Sequence, residues 1–210
     1  MIQTKTYSSS FPNLLKIAKD SIESGKIIAF PTDTVYGLGA GAFQRQGILA
    51  LYNAKGREQT KAIAVLIGDI DHLQLLTPGL PETAQRLAAK FWPGALTLVV
   101  PRHPDLPEEI SPYPTIGIRM PAHSFACQLL QTTGPLATTS ANISGRSNPL
   151  SAQDVLSQLE GRIDLVIDGG VVSGGVPSTV IDCTKDTPTI LRQGAITWEE
   201  IKRAIEHPLH

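Results

Sequence analysis

Cysteine is nearly absent from this chain. Cys127 and Cys183 are the only two among 210 residues, and neither belongs to a CxxC pair or a Cys/His cluster. That spacing speaks against a structural zinc and leaves two free thiols, expected to be buried in a reducing compartment. Long apolar runs are missing too: the hydrophobic residues come in short stretches cut by Gly and Pro, none near the ~20 residues of a membrane span. The N-terminus lacks the basic-then-apolar pattern of a secretory signal, so a soluble, cytoplasmic protein is expected. No sign of charge dominates. A formal net charge of −1 and a pI near 6.5 argue against a protein that coats nucleic acid, so any polyanion site must be a local cluster. Several catalytic signatures are absent. Residues 169–176 are glycine-rich but contain no GxxxxGK[ST], and neither GxSxG nor HExxH occurs. The five histidines are scattered, His72 and His103 in predicted loops, His123 near a helix start, His207 and His210 in a tail. None is singled out for catalysis.

What is present is an α/β pattern. Helical periodicity marks residues 12–24, with Pro12 as first helical residue and Gly25 as C-terminal stop, and further helices at about 45–54, 81–91, 123–132, 151–159 and 197–206. Short apolar runs predict strands at 26–30, 62–67, 95–100, 115–119, 136–139, 165–168, 178–182 and 189–191. Alternating strands and helices predict a twisted mixed sheet flanked by helices, in one domain over 1–210. Residues 169–177 are expected to be a flexible loop. Charge is uneven. Lys55, Arg57 and Lys61 stand together with only Glu58 opposing, while Asp and Glu concentrate after residue 154. One basic patch on a near-neutral chain suits a small anionic ligand.

Three segments carry chemistry. In 31–39, Pro31 ends a strand, and Thr32, Asp33 and Thr34 put short polar side chains at its end, where α/β sheets commonly bind ligands. Gly37, Gly39 and Gly41 alternate, clearing one face for a close neighbour; a tight turn into a second strand explains them equally well. Lys55-Gly56-Arg57 ends a helix. Two cations there complement the helix dipole, and they converge on one ligand only if the chain leaves the helix at Gly56. A lysine in such a place is expected to be partly exposed and to add little to stability. Finally, 136–145 runs from a strand through Thr138, Thr139 and Ser140 to Asn142, a cluster able to read a ligand's polar edges. Ser178 opens a later strand, and Arg119 and Arg192 each end one.

In order and in register, PTDTVYGLG at 31–39, KxR at Lys55 and Arg57, SxN at Ser140 and Asn142, and STVID at 178–182 resemble the YrdC-type threonylcarbamoyl-AMP synthase family. WPGALT at 92–97, TIGIRMP at 115–121 and ILRQG at 190–194 fit as well, and the resemblance covers about residues 10–195. It implies a large concave, positively lined cleft. It also implies a nucleotidyltransferase reaction in which L-threonine, bicarbonate and ATP give threonylcarbamoyl-adenylate and pyrophosphate. That product is handed to the machinery that modifies adenosine 37 of tRNA. By matching position, Lys55 and Arg57 are the implied catalytic pair. Lys55, Arg57, Thr115, Asn142 and Arg192 would lie along ATP, and Thr34, Arg119, Ser140 and Ser178 would contact threonine. Thr32 and Thr139 are lesser candidates. Mg²⁺ is expected to ride on the phosphates without a dedicated protein site, with Asp33 as the one acid placed for a water-mediated contact.

Three positions depart from the family pattern: Glu58 where many relatives have Pro, Leu66 where some place a threonine-contacting His, and Leu150, which offers ATP only its backbone. The chain ends after one helix, as the short form would. Two rival readings stay open: a paralogue that binds tRNA or double-stranded RNA without turnover, and a carbamoyl-transfer enzyme.

Overall fold

The computed structural model describes residues 2–206; His207 and His210 lie outside them. Among the described residues, one sheet holds β1 (Lys5–Ser8), β2 (Ile28–Phe30), β3 (Gly37–Gly41), β4 (Ala64–Leu66), β5 (Leu96–Pro101), β6 (Thr115–Arg119), β7 (Leu136–Ser140), β8 (Leu165–Asp168), β9 (Thr179–Asp182) and β10 (Thr189–Arg192). Their spatial order is β1-β8-β2-β3-β7-β4-β6-β5-β9-β10. The pairs β1/β8, β2/β8, β4/β6 and β5/β9 are parallel and the rest antiparallel, which is the mixed sheet expected. The helices are α1 (Leu14–Glu23), α2 (Arg45–Lys55), α3 (Leu73–Leu76), α4 (Glu82–Phe91), α5 (Ser124–Thr133), α6 (Ala152–Leu159) and α7 (Trp198–Glu206).

Local chemistry explains most of the boundaries. Helix α1 buries Leu14, Ala18 and Ile22 at four-residue spacing. It begins behind Asn13 in the left-handed region, so Pro12 precedes the helix instead of opening it. Ser151 and Asp154 form a reciprocal capping box at the start of α6. Two strands had no clear periodic signal. β1 is an edge strand of mostly exposed Lys-Thr-Tyr-Ser held by register with β8. β3 reads Gly-Leu-Gly-Ala-Gly, poor strand material, yet the glycines are required there. A Cβ on Gly37 would stand 2.9 Å from the Thr138 methyl, and one on Gly39 would stand 2.9 Å from the Phe30 ring.

Side-chain alternation then divides the sheet into two unlike faces. Leu38, Val65, Leu98, Ile116, Ile118 and Ile181 point to one face and pack with α2, α4, α6 and α7 in the larger core. The opposite face is covered only in part: α1 and α5 lie over Ile28, Phe30, Leu66, Leu136 and Leu165 in a smaller core. Among the described residues no helix closes the remainder of that face, where Thr97, Val99, Thr115, Gly117, Thr138 and Val180 line a cavity.

Candidate active site

The cavity measures about 390 Å³, a volume suited to a small-molecule ligand. Its floor is the sheet face itself, so the site is not confined to the carboxyl ends of the strands. Thr34, Arg57, Thr115, Arg119, Ser140, Ser178 and Arg192 all line it, as do Thr32 and Thr139. Residues from six separate stretches of sequence are therefore brought around one hollow. Two expected members, Lys55 and Asn142, are not on its wall.

Arg119 organises the end near β2. It sits on β6 with 5% of its surface exposed, far from the solvated strand-end arginine that is the commonplace outcome. Each of its three guanidinium nitrogens makes one hydrogen bond to the protein. Nε donates to the Gly94 carbonyl at 2.8 Å, Nη1 to Thr34 Oγ1 at 2.9 Å and Nη2 to Asp33 Oδ1 at 2.6 Å. Thr34 Oγ1 in turn lies 3.0 Å from Thr32 Oγ1, which shares a hydrogen bond with it, and Thr32 donates to the Val35 carbonyl at 2.7 Å. Burial pushes Arg119 below the ordinary guanidinium range and Asp33 pulls it back up; a guanidinium starts so high that it stays charged. Asp33, expected to reach a phosphate-borne metal through water, forms this ion pair through Oδ1.

Ser178 stands on another stretch of the same wall. Its hydroxyl lies 2.8 Å from Thr97 Oγ1, and Arg192 grips the residue from outside, Nη2 donating to Ser178 Oγ at 3.2 Å and to its carbonyl at 2.8 Å. Partial loss of water and the nearby Arg57 charge hold Arg192 below its ordinary range. Ser178 is delivered by the 169–177 segment, which is not the free loop its composition suggests. Tyr36 Oη donates to the Gly170 carbonyl and accepts from the Gly169 N–H. Val172 N–H donates to Leu150 and Gly175 N–H to Thr34. A Cβ on Gly174 would stand 2.4 Å from the Asp33 carbonyl oxygen, so glycine there serves close approach as much as flexibility.

Lys55 and Arg57 part company at Gly56, whose φ of 59° ends α2. Arg57 turns to the cavity and donates through Nη2 to the Ala62 carbonyl at 3.0 Å. Lys55 turns inward. Only 2% exposed, its Nζ donates to the carbonyls of Ser140 and Asn142, the latter at 2.5 Å, and its own carbonyl accepts from Ser144 N–H. Burial, with Arg57 adding to it, lowers the ammonium pKa to about 7. The expectation of a partly exposed lysine with little structural weight is thus overturned: the helix end faces the exit of β7, which supplies two carbonyls and excludes water. Asn142 is equally occupied. Its Nδ2 donates to the Ile143 and Arg146 carbonyls while Oδ1 is buried without a protein partner. Lys55 and Asn142 together fix the corner that presents Ser140.

The three departures resolve differently. Glu58 is exposed and pairs with Lys61 at 3.3 Å instead of lining the cavity. Leu66 lines it as an apolar wall. Leu150 has its backbone engaged, its N–H donating to Asp154 and its carbonyl accepting from Val172. Sequence reasoning missed Thr97 and Tyr113 on the wall; the period-2 alternation of β5 carried the signal for the threonine. Among the described residues, no group of three or more His, Cys, Asp and Glu is arranged to hold a metal, and no helix is long and apolar enough to cross a membrane. Cys127 and Cys183 are both free, and burial pushes the Cys183 thiol up to about 12.

A mixed sheet with one face left half open, hydroxyls on the floor and three arginines on the wall of its cavity defines an α/β protein. The family model Sua5_yciO_yrdC, described as telomere recombination, matches residues 20–194. The chain belongs to that family. It is 42% identical over 193 residues to the threonylcarbamoyl-AMP synthase of Pyrococcus abyssi, covering 91% of this chain and 57% of the relative. It is 42% identical over 210 residues to that of Bacillus subtilis, covering 99% and 60%. The crystal structure of P. abyssi Sua5 complexed with L-threonine superposes with a TM-score of 0.90 at 39% identity, covering 99% of this chain and 62% of that one. The chain thus spans about three fifths of the length of these relatives.

Proposed function

We propose that the protein is an L-threonylcarbamoyladenylate synthase. The observation that carries the reading is the convergence of Thr34, Arg57, Thr115, Arg119, Ser140, Ser178 and Arg192 on one cavity, in a chain whose relatives bear that enzyme's name. In the reaction, the amine of threonine and bicarbonate combine with loss of water to give a carbamate. A carbamate oxygen then attacks the α-phosphorus of ATP, and the bond to pyrophosphate breaks. No covalent enzyme intermediate is needed, so positioning and charge stabilisation supply the catalysis.

The residues suit those tasks. Arg119, buried and held rigid by Gly94, Thr34 and Asp33, is a preorganised cation for the threonine end, beside Thr34, Ser140 and Ser178. Arg57 and Arg192, near enough that the Arg57 charge lowers Arg192, suit the triphosphate, with Thr115 on the cavity floor. Lys55 and Asn142 act on ATP through the corner they hold. Mg²⁺ arrives on the phosphates, and the Asp33 carboxylate pairs with Arg119 through Oδ1. The product passes to the tRNA threonylcarbamoyl-transfer machinery, which puts the step in the cytoplasm.

Pyrophosphate release from Mg·ATP by the full chain decides the matter. Release that depends on both threonine and bicarbonate supports the reading. Release indifferent to either one, or salt-sensitive RNA binding without turnover, overturns it.

A further inference from the structure

The pair formed by Thr97 and Ser178 has a hydrogen count that leaves one donor to spare. Both hydroxyls are buried, at 4% and 5% exposure, and both line the cavity. Their oxygens are 2.8 Å apart, and either can be the donor. Arg192 Nη2 already donates to Ser178 Oγ, and an arginine has no acceptor to offer in return. Two hydroxyls hold two hydrogens, one of which is spent between them. No protein acceptor lies within reach of the other among the described residues. With Thr97 donating, Ser178 accepts from two sides, so its own proton is left for the cavity. Reversed, the spare proton sits on Thr97. Either way the dyad offers a ligand one O–H donor.

Thr97 is held to this task by its surroundings. A β-branched side chain is stiff about χ1, and its methyl packs over Gly117, where an added Cβ would come within 3.1 Å of Cγ2. With the methyl seated on Gly117, Oγ1 is turned to Ser178. The backbone beneath is equally fixed, since Thr97 on β5 lies in register with Val180 on β9, two residues beyond Ser178.

We infer that Thr97 is a positioning residue for substrate selection: it aims the Ser178 hydroxyl as a donor at an anionic oxygen of a substrate held beside Arg192. Two substrates of the proposed reaction carry such an oxygen, the carboxylate of threonine and the phosphates of ATP. The inference assigns it to the amino-acid carboxylate and rests on the synthase reading.

Steady-state pyrophosphate release by the full chain separates these possibilities, with KM for threonine and KM for ATP measured on wild type, Thr97→Val, Thr97→Ala and Thr97→Ser. Ala and Ser both lose the methyl that sits on Gly117 and differ only in the hydroxyl, so their comparison stands even if Val fails to fold. Thr97→Val and Thr97→Ala should raise KM for threonine about 3- to 10-fold, the worth of one neutral hydrogen bond, with a smaller change in kcat. Thr97→Ser should recover to within about twofold of wild type. Equal defects in Ala and Ser, an unchanged threonine KM, or a rise confined to ATP would each overturn the inference. A wild type without threonine-dependent turnover would instead sink the synthase reading beneath it.

Discussion

Lys55 shows how one residue can matter by standing behind a site. A lysine at a helix C-terminus is worth about 0.3–1 kcal/mol through the dipole; here its Nζ satisfies two carbonyls at the exit of β7. Lys55→Ala should therefore cost about 2–4 kcal/mol from lost packing and unpaired carbonyls, read from urea melts. Its pH dependence has a definite sign. The folded pKa is about 7 and the unfolded one about 10.4, so between them the unfolded chain binds the extra proton. The stabilising effect of deprotonation is absent below pH 7 and grows up to about 10.4. The stability difference between wild type and Lys55→Met should widen across that window by on the order of a few kcal/mol; a flat difference would show that the amine stays charged. Asp33 makes the complementary case. Removing it with Asp33→Ala leaves Arg119, 5% exposed, without its counter-ion, at a cost of about 3 kcal/mol. Equilibrium unfolding measures the cost, and threonine KM should rise along with it.

At the scale of elements, the 169–177 segment behaves as a buttress. The Tyr36 hydroxyl and the carbonyls of Leu150 and Thr34 hold it by hydrogen bonds to its backbone, and it leads through Pro177 to Ser178 on the cavity wall. Gly174→Ala places a methyl 2.4 Å from the Asp33 carbonyl oxygen and 2.6 Å from that of Thr34, so the segment must lift. Amide exchange at Gly175, which donates to Thr34, should then accelerate by about tenfold or more, since its protection depends on that docking. Unchanged exchange would mean the segment is held elsewhere. Sequence composition alone suggested a flexible loop, because glycines required for close approach and glycines required for freedom look identical in one dimension. β3 was ambiguous for the same reason. Its Gly-Leu-Gly-Ala-Gly fits a turn as well as a strand until Thr138 and Phe30 are in place. Strands with period-2 alternation, such as β5 and β6, were readable because one face of each is core.

Over the whole molecule, the proposed synthase would bind its anionic substrate at the hollow that Arg57, Arg119 and Arg192 line, in a protein of net charge −1. Mg·ATP at a hundredfold above its Kd should stabilise the fold by about 2.7 kcal/mol, raising Tm by about 5–10 °C for a chain of this length. Arg57→Ala should remove most of that shift and lower kcat/KM for ATP by about a hundredfold. Equal Tm shifts in wild type and variant, followed by differential scanning fluorimetry, would relocate the triphosphate away from Arg57.

By itself the sequence determined the strand and helix periodicities, the order of the motifs and the residue types around the site, since each of these depends on neighbours a few positions away. Only the tertiary structure decided that one sheet face is left half uncovered, that Asp33 is spent on Arg119 across 86 positions, and that Lys55 faces the carbonyls of β7 across 85. Burial and pairing at such separations are set by which strands become neighbours. That is why two cations one residue apart ended on opposite sides of the same wall.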